Sequence, residues 1–143
     1  DDGNYDLATY LNDEVIGVNQ DSMLKHGFKA KDERQFLGLF KEQVWVRQLS
    51  GGSFALVFVN TYPWSINVTC DATCWEFLPI PKWTLFSVRD LWLHGPAEVD
   101  VAIAGEDYSV EISGNGASKM FKMTPTQIPK MQAVSSIESG ALV

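Results

Sequence analysis

The 143-residue sequence lacks the features of several large classes of protein. No apolar run approaches the roughly 20 residues that a membrane-spanning helix needs, so we expect no membrane span. Lys and Arg total 11 against 18 Asp and Glu, and no basic stripe is present to neutralise nucleic-acid phosphates. Neither a phosphate-binding loop nor a dinucleotide fingerprint occurs. With 45% hydrophobic and 20% charged residues, the sequence indicates one globular domain.

Catalytic and metal-binding signatures are also missing. No Gly-x-Ser-x-Gly elbow is found, and His26 and His94 are isolated from the cysteines, so a zinc site lacks ligands. We interpret His94 as a partly exposed loop residue and not as a proton carrier. Acidic residues cluster in three places, which we interpret as solvated charges: Asp32 with Glu33, Glu98 with Asp100, and Glu106 with Asp107. We therefore predict no catalytic residue, metal or cofactor in this chain.

Cysteine is scarce, with two residues in a C-x3-C pair at Cys70 and Cys74. The pair forms either a small-loop disulfide, which we favour, or two buried thiols. It lies beside Asn67-Val68-Thr69, an N-glycosylation sequon with Asn67 as the acceptor. Together these features favour a secretory or lysosomal/vacuolar route. The sequence begins without Met or a signal-peptide pattern, and we expect that end to result from proteolysis or from the boundaries chosen for expression.

One amphipathic helix is predicted at the start of the chain. Leu7, Leu11, Val15 and Val18 recur at steps of four, four and three, which places them on one helical face. Asn4 is the expected N-cap, and the polar run from Asn19 to Ser22 ends the pattern. The spacing predicts a helix over residues 5–18, followed by a chain that is entirely β.

The remaining sequence predicts an antiparallel β-domain, either a sandwich or barrel-like, because short strands recur about every 8–12 residues. Of the two we expect a Greek-key β-sandwich. The expected strands cover residues 36–40, 44–49, 54–59, 64–69, 77–81, 83–92, 97–104, 108–112 and 119–123. Ser50–Ser53 is the expected hairpin turn after the second strand, and residues 126–143 are expected to form a flexible tail.

Five tryptophans raise the alternative of sugar stacking, since an aromatic face fits the C–H face of a sugar. They are Trp45, Trp64, Trp75, Trp83 and Trp92. Most lie within apolar strand patterns, where packing in the core or at an interface is the default, and we interpret them so.

Several runs resemble the α-galactosidase and α-N-acetylgalactosaminidase family of retaining glycosidases. The longest, Leu-Asn-Asp-Glu-Val-Ile-Gly-Val-Asn-Gln-Asp, ends at Asp21. In that family this hallmark lies on the last helix of a (β/α)8 barrel, just before a C-terminal antiparallel β-domain. Further similarities are the hairpin over residues 44–60, the C-x3-C pair, Arg89-Asp-Leu-Trp92 and the closing strand at 119–125. Ser22, Met23 and Leu24 replace the usual Pro-Leu-Gly, so we expect a different exit loop.

The resemblance implies a structural role within a glycosidase. It divides the chain into the last barrel helix and exit loop (1–30), the C-terminal β-domain (31–125) and the tail (126–143). Both catalytic carboxylates, which such enzymes need about 5 Å apart, lie upstream of this segment in the family. The implied partner is an N-terminal barrel segment or chain, contacted by Leu7, Leu11, Val15 and Val18 and acting on terminal α-galactose or α-N-acetylgalactosamine, with a homodimer of the whole enzyme as a further expectation. The alternative is a non-catalytic β-sandwich module, derived from that domain, that binds carbohydrate or protein.

Overall fold

The computed structural model describes residues 12–23, 25–35 and 37–126. Its helices are α1 (Asp13–Asn19) and α2 (Ala72–Glu76), with one 3-10 turn at Ser50–Gly52. Its strands are β1 (Phe28–Gln35), β2 (Phe40–Gln48), β3 (Phe54–Asn60), β4 (Ile66–Cys70), β5 (Leu85–Asp90), β6 (Gly95–Ile103), β7 (Tyr108–Ile112) and β8 (Ala117–Pro125). The predictions for Asn4, Leu7, Leu11 and the tail from residue 127 onward lie outside the described residues.

Two antiparallel sheets form the sandwich. The large sheet has six strands in the order β1-β2-β3-β8-β5-β6, and the small sheet pairs β4 with β7. The last strand, β8, lies between β3 and β5, so strands that are distant in the chain become neighbours, as Greek-key connections require. The predicted mainly β, antiparallel sandwich is confirmed.

The main core lies between the two sheets. The central strand β3 supplies Leu56 and Phe58, and β8 supplies Phe121, all 2% exposed or less. Phe58 contacts Phe121 edge-on at a centroid distance of 5.6 Å and Tyr108 of the small sheet at 6.0 Å. Side chains alternate between the two faces of a strand, and these rings lie on the faces that point into the interior, where they pack together.

A buried asparagine connects the sheets at one end of the core. Asn60 is 0% exposed at the end of β3. Its amide nitrogen donates to the carbonyls of Ile112 at 3.0 Å and Trp64 at 2.9 Å, and its oxygen accepts from the Tyr62 backbone N–H at 2.8 Å. Burying an amide is favourable only when its polar atoms are satisfied in this way, so Asn60 fixes where the small sheet meets the large one.

A second, smaller core lies on the opposite face of the large sheet. Helix α1 packs there, with Val18 buried against Ala55 of β3, Leu49 and Leu91, and with Val15 and Met120 partly buried around them. The apolar face of α1 is therefore covered in part by the chain's own sheet. The sheet consequently carries apolar side chains on both faces.

The helix begins later than predicted. Asn12 has an extended backbone, with φ −82° and ψ 96°, and acts as the N-cap. A continuous helix over residues 5–18 is therefore wrong, because residue 12 interrupts any helical path. Helix α1 ends at Asn19, one residue beyond the predicted end at residue 18.

Three other elements differ from prediction. The first strand lies at Phe28–Gln35 and not at residues 36–40, where Leu37 and Gly38 turn with positive φ of 59° and 81°. The second helix, α2, contradicts the expectation that only β structure follows α1. Residues 77–81 form no strand and lead instead from α2 into a turn before β5.

Candidate docking surface on the outer face of the large sheet

The outer face of the large sheet, with α1 upon it, carries an open apolar groove. Its construction depends on the junction between the start of α1 and the turn that follows β5, residues Leu91–His94. We call this contact the helix–turn junction.

Asn12 makes the first link of the helix–turn junction. Its side-chain oxygen accepts from the backbone N–H groups of Glu14 at 3.1 Å and Val15 at 3.2 Å, which caps the helix. Its amide nitrogen donates to the Leu91 carbonyl at 2.9 Å, and the residue is 5% exposed. One buried side chain therefore starts the helix and attaches it to the turn.

Glu14 and Arg89 make the second link. Two guanidinium nitrogens of Arg89 donate to the two Glu14 carboxylate oxygens at 2.8 Å each, a bidentate ion pair. His94 Nδ1 lies 3.0 Å from the same carboxylate, and Arg89 also donates to the His94 carbonyl at 2.8 Å. The hydrogen bond from Arg89 is the main reason why the pKa of Glu14 falls from 4.5 to about 2, and it raises the pKa of Arg89.

The turn itself is folded by Asp90. This carboxylate is 4% exposed and accepts from the backbone N–H groups of Trp92 at 2.9 Å and Leu93 at 3.1 Å. Leu91, 1% exposed, lies under α1, while Trp92 and Leu93 project toward solvent. Arg89, Asp90 and Leu91 therefore each have a separate structural role, in the ion pair, the turn and the second core.

An open apolar groove runs between α1 and the sheet. Its volume is about 550 Å³, and its walls include Val15, Ile16, Trp45, Val57 and Met120. Trp45 is 40% exposed, although its ring is fixed by a hydrogen bond to Gln43 and lies 5.1 Å from the Lys29 ammonium. An apolar groove of this size, lined by an ordered tryptophan, has the character of a protein-contact surface.

Arg47 marks the polar edge of this groove. One guanidinium nitrogen donates to the Asn19 carbonyl at 3.3 Å, while Nε is buried and, among the described residues, has no hydrogen-bond partner. A buried N–H group without a partner is uncommon, so Arg47 Nε has a hydrogen bond left to donate at this edge.

The predicted disulfide is present between Cys70 and Cys74, with Sγ atoms 2.05 Å apart. It joins the end of β4 to α2, whose N-cap Asp71 accepts from the Cys74 backbone N–H at 3.0 Å. The bond lies in the interior, since both cysteines are at most 1% exposed. It is thus a buried structural cross-link at the corner between β4 and α2.

The sequon lies on the small sheet. Asn67 is exposed in β4 and pairs with Glu111 of β7, and the Thr69 hydroxyl lies 2.6 Å from the Ser109 hydroxyl. The Asn67 side chain is therefore on the side of the sandwich remote from α1.

The predicted acidic clusters lie at the surface. Glu33, Glu98, Asp100, Glu106 and Asp107 are all exposed, and no three potential metal ligands converge within the described ranges. Asp32 instead binds Arg34 at 2.8 Å, and this hydrogen bond holds the pKa of its carboxyl well below the usual range. His94 is exposed in its turn, as predicted, but contacts Glu14.

We expected the tryptophans to pack in the core or at an interface. The core part of that expectation holds for one of the five, and packing of the others at an interface stays a prediction. Trp75 alone among the five is buried, at 6% exposure. Trp45, Trp64, Trp83 and Trp92 are between 38% and 68% exposed. The helix–turn junction was also not anticipated, because nothing in one sequence shows that Glu14 and Arg89 meet.

The described chain is an antiparallel two-sheet β-sandwich with a capped helix on its outer face. The family described as the alpha-galactosidase C-terminal beta sandwich domain matches residues 41–122, from the second residue of β2 into β8, and the chain belongs to this family. No helix within the described ranges has the length and apolarity to cross a bilayer.

The similar proteins are much longer than this chain. An alpha-galactosidase from Oryza sativa subsp. japonica is 28% identical over 118 residues, which cover 80% of this chain but 24% of the rice protein. Alpha-galactosidase I from Mortierella vinacea has the same fold, with a TM-score of 0.66 and 19% identity over 85% of this chain and 29% of that one. The alfa-galactosidase of Saccharomyces cerevisiae, solved with raffinose, has a TM-score of 0.67 and 12% identity, and the match covers 83% of this chain and 37% of that one. The chain thus spans about a quarter of the rice relative's length.

Proposed function

We propose that this chain is the C-terminal structural part of an α-galactosidase-like glycoside hydrolase that removes terminal α-galactose or α-N-acetylgalactosamine. The catalytic carboxylates lie on a preceding (β/α)8 barrel, as a segment or a separate chain. The observation that carries the proposal is the apolar outer face, because its groove of about 550 Å³ is built from ordered side chains yet open. In an assembled enzyme the barrel covers this face.

The helix–turn junction sets the geometry of that contact. Val15 and Val18 pack on the sheet and also line the groove, and Ile16 lines the groove beside them. Helix α1 is therefore a bridge with one surface on the sandwich and another toward the barrel. We retain Leu7, Leu11, Val15 and Val18 as the barrel-docking set and residues 1–30, 31–125 and 126–143 as the three segments.

The test is an exchange in the rice relative. The matched segment of the Oryza sativa enzyme is replaced by this chain, and hydrolysis of p-nitrophenyl α-D-galactopyranoside is compared with that of the enzyme truncated before the segment. We expect the exchanged enzyme to be soluble and active and the truncated one to be inactive or insoluble. This chain alone should hydrolyse nothing. Equal activity of the exchanged and truncated enzymes contradicts the proposal.

Matched variants identify the face. Trp45→Asp with Val57→Asp places charge in the groove and should reduce the yield of active exchanged enzyme by roughly tenfold, since a charge in an apolar contact is strongly unfavourable. Val99→Asp on the edge strand β6 is the control, because Val99 is 53% exposed and lies outside the groove. If both changes have the same effect, the outer face is not the docking surface.

We further infer that the enzyme passes through the secretory pathway to a secreted or lysosomal/vacuolar location, with a glycan on Asn67. The buried Cys70–Cys74 bond and the exposure of Asn67 support this. When the chain is expressed in a glycosylating host, its mass should exceed the mass of the polypeptide, and N-glycosidase should remove the excess. The Asn67→Gln variant should lack that excess mass. An unmodified Asn67 in secreted material contradicts the inference. The resemblance also implies a homodimer of the whole enzyme, which sedimentation of the exchanged enzyme tests.

A further inference from the structure

A second hollow lies apart from the docking surface. It has a volume of about 250 Å³ and lies between α2 and the segment that leads into β5. Its walls include Trp75, Glu76, Leu78, Ile80, Lys82 and Trp83. No residue of this hollow also lines the groove beside α1. We call it the α2 hollow.

Trp83 is the unusual residue of the α2 hollow. It is 68% exposed and has a positive φ of 71°, a backbone conformation that strains a bulky side chain. Its N–H donates to the Ala104 carbonyl at 2.9 Å, and the Thr84 hydroxyl donates to the Pro81 carbonyl at 2.6 Å, so both sides of the residue are held. Strain of this kind persists where the surroundings enforce it and is concentrated at binding sites. Neither the strain nor the exposure of Trp83 stabilises the fold.

The opposite wall is rigid. The Trp75 indole N–H donates to the Glu106 carbonyl at 2.6 Å, and its ring stacks on Phe86 with centroids 6.1 Å apart and planes 19° apart. Leu78 beside it is 4% exposed. The shape of the hollow is therefore fixed before any ligand arrives, which lowers the entropic cost of binding.

Two opposite charges stand at its rim. Glu76 and Lys82 are exposed, and within the described part of the chain neither makes a hydrogen bond or ion pair. A carboxylate accepts hydrogen bonds, and an ammonium donates them. A hydroxyl does both, so this pair suits a ligand that carries several hydroxyls on an otherwise apolar ring.

We propose that the α2 hollow binds one pyranose ring of a carbohydrate, with its C–H face on Trp83 and its hydroxyls on Glu76 and Lys82. The volume of about 250 Å³ is below the roughly 300–1,000 Å³ of drug-sized sites, which suits one ring within the hollow. The choice of sugar as ligand rests on the proposed function, whereas the strained tryptophan, the fixed wall and the free charges do not.

The test is a titration of the 143-residue chain with D-galactose, methyl α-D-galactopyranoside and D-glucose, followed by NMR of the indole N–H signals. We expect the Trp83 signal to shift saturably with at least one probe, at a dissociation constant of about 1 mM that suits so small a contact. Trp83→Asn keeps a residue that tolerates positive φ and should weaken binding about tenfold. Glu76→Ala and Lys82→Ala should each weaken it roughly fivefold by removing a hydrogen bond.

Trp64→Ala is the matched control, because Trp64 is also exposed, at 52%, but lies against Phe40 and Tyr62 away from the α2 hollow. It should leave the titration unchanged. A failure to saturate with all three sugars, or equal binding by folded Trp83→Asn, overturns the proposal. Neither result alters the activity of the exchanged rice enzyme, so this site and the proposed function fail independently.

Discussion

At the scale of single residues, Asn12 combines two roles that are usually separate. Its oxygen caps α1, and its amide nitrogen donates to the Leu91 carbonyl. A serine or aspartate would cap as well but has no amide to donate. The choice of asparagine therefore reflects the contact with the turn and not the helix alone.

Two substitutions separate these roles. Asn12→Asp keeps the cap acceptor and loses the buried donor, whereas Asn12→Ala loses both. We expect Ala to lower the free energy of unfolding by about 2–3 kcal/mol, from a cap of about 1 kcal/mol and the unsatisfied Leu91 carbonyl. Aspartate should also destabilise, because it places a carboxylate against that carbonyl. Urea unfolding measures the stability of both variants. A wild-type-like stability of Asn12→Asp would show that the hydrogen bond from the Asn12 side-chain amide to the Leu91 carbonyl contributes nothing.

Glu14 gives the helix–turn junction a pH dependence. Its pKa is lowered to about 2 in the folded chain, chiefly by the hydrogen bond from Arg89. A lowered pKa means that the carboxylate stabilises the fold above its usual value of 4.5, and that this contribution is lost as the pH falls toward about 2. Glu14→Gln should therefore be less stable than wild type at neutral pH and equal to it near pH 2.

Urea titrations across that pH interval provide the measurement. Glu98→Gln is the control, because Glu98 is exposed and its carboxylate has no partner among the described residues. Its stability should follow wild type throughout. A Glu14→Gln curve parallel to wild type at every pH contradicts the assigned role of the ion pair.

The sequence already contained the parts of this junction but not their pairing. The runs around Glu14 and Arg89 were recognisable separately by family resemblance, whereas their contact joins residues 75 apart. Local spacing carries no information about such a distance. The sequence did not predict which tryptophans are exposed, for a related reason. Alternation in a strand shows that the Trp45 side chain faces opposite to those of Val44 and Val46, but not which of the two faces is covered.

At the scale of elements, α1 depends on packing. It has seven residues, too few for a stable helix in water, so its order comes from the cap and from Val18 in the second core. Val18→Ala should lower the free energy of unfolding by about 2 kcal/mol, near the lower end of buried large-to-small changes. Ile16→Ala, on the groove side, should cost less in this chain. Thermal unfolding of both variants decides, and equal losses would contradict the placement of Val18.

The corner at α2 depends on the disulfide. The loop between Cys70 and Cys74 is short, so the bond should contribute about 2 kcal/mol through the unfolded chain. Non-reducing peptide mass spectrometry should show the linked pair. Cys70→Ser with Cys74→Ser should unfold at lower urea, whereas reductant should shift the wild type alone. Free thiols in oxidised protein would contradict the structure.

Strand prediction succeeded where burial dominates and failed where it does not. The central strand β3 and the exactly predicted β7 have clear apolar patterns. Edge strand β1 is rich in charge, with Ala30 as its one fully buried residue and Lys31 satisfied by Glu42 and the Thr69 carbonyl. Edge strands commonly carry such charges, so hydrophobic periodicity cannot detect them. The five residues of α2 are too few for a helical period, and Asp71 as N-cap was the available signal.

At the scale of the whole molecule, the large sheet has two unlike faces. The small sheet closes the inner face with a continuous core, and α1 covers the outer face only in part. Strand spacing predicted an antiparallel domain that is either a sandwich or barrel-like. The use of the outer face was not predicted. Apolar residues on a strand give the same sequence pattern whether they pack within the chain or against a barrel.

Oxidative footprinting tests that use most directly. The free chain and the exchanged rice enzyme are labelled by hydroxyl radicals, and oxidation is quantified at Trp45 and Met120 in the groove and at Trp64 and Trp83 elsewhere. If the barrel covers the outer face, oxidation of Trp45 and Met120 should fall by roughly fivefold or more in the exchanged enzyme, as expected for residues removed from solvent. Trp64 and Trp83 should react equally in both. Unchanged oxidation of Trp45 and Met120, with protection of Trp64 or Trp83 instead, would contradict the account.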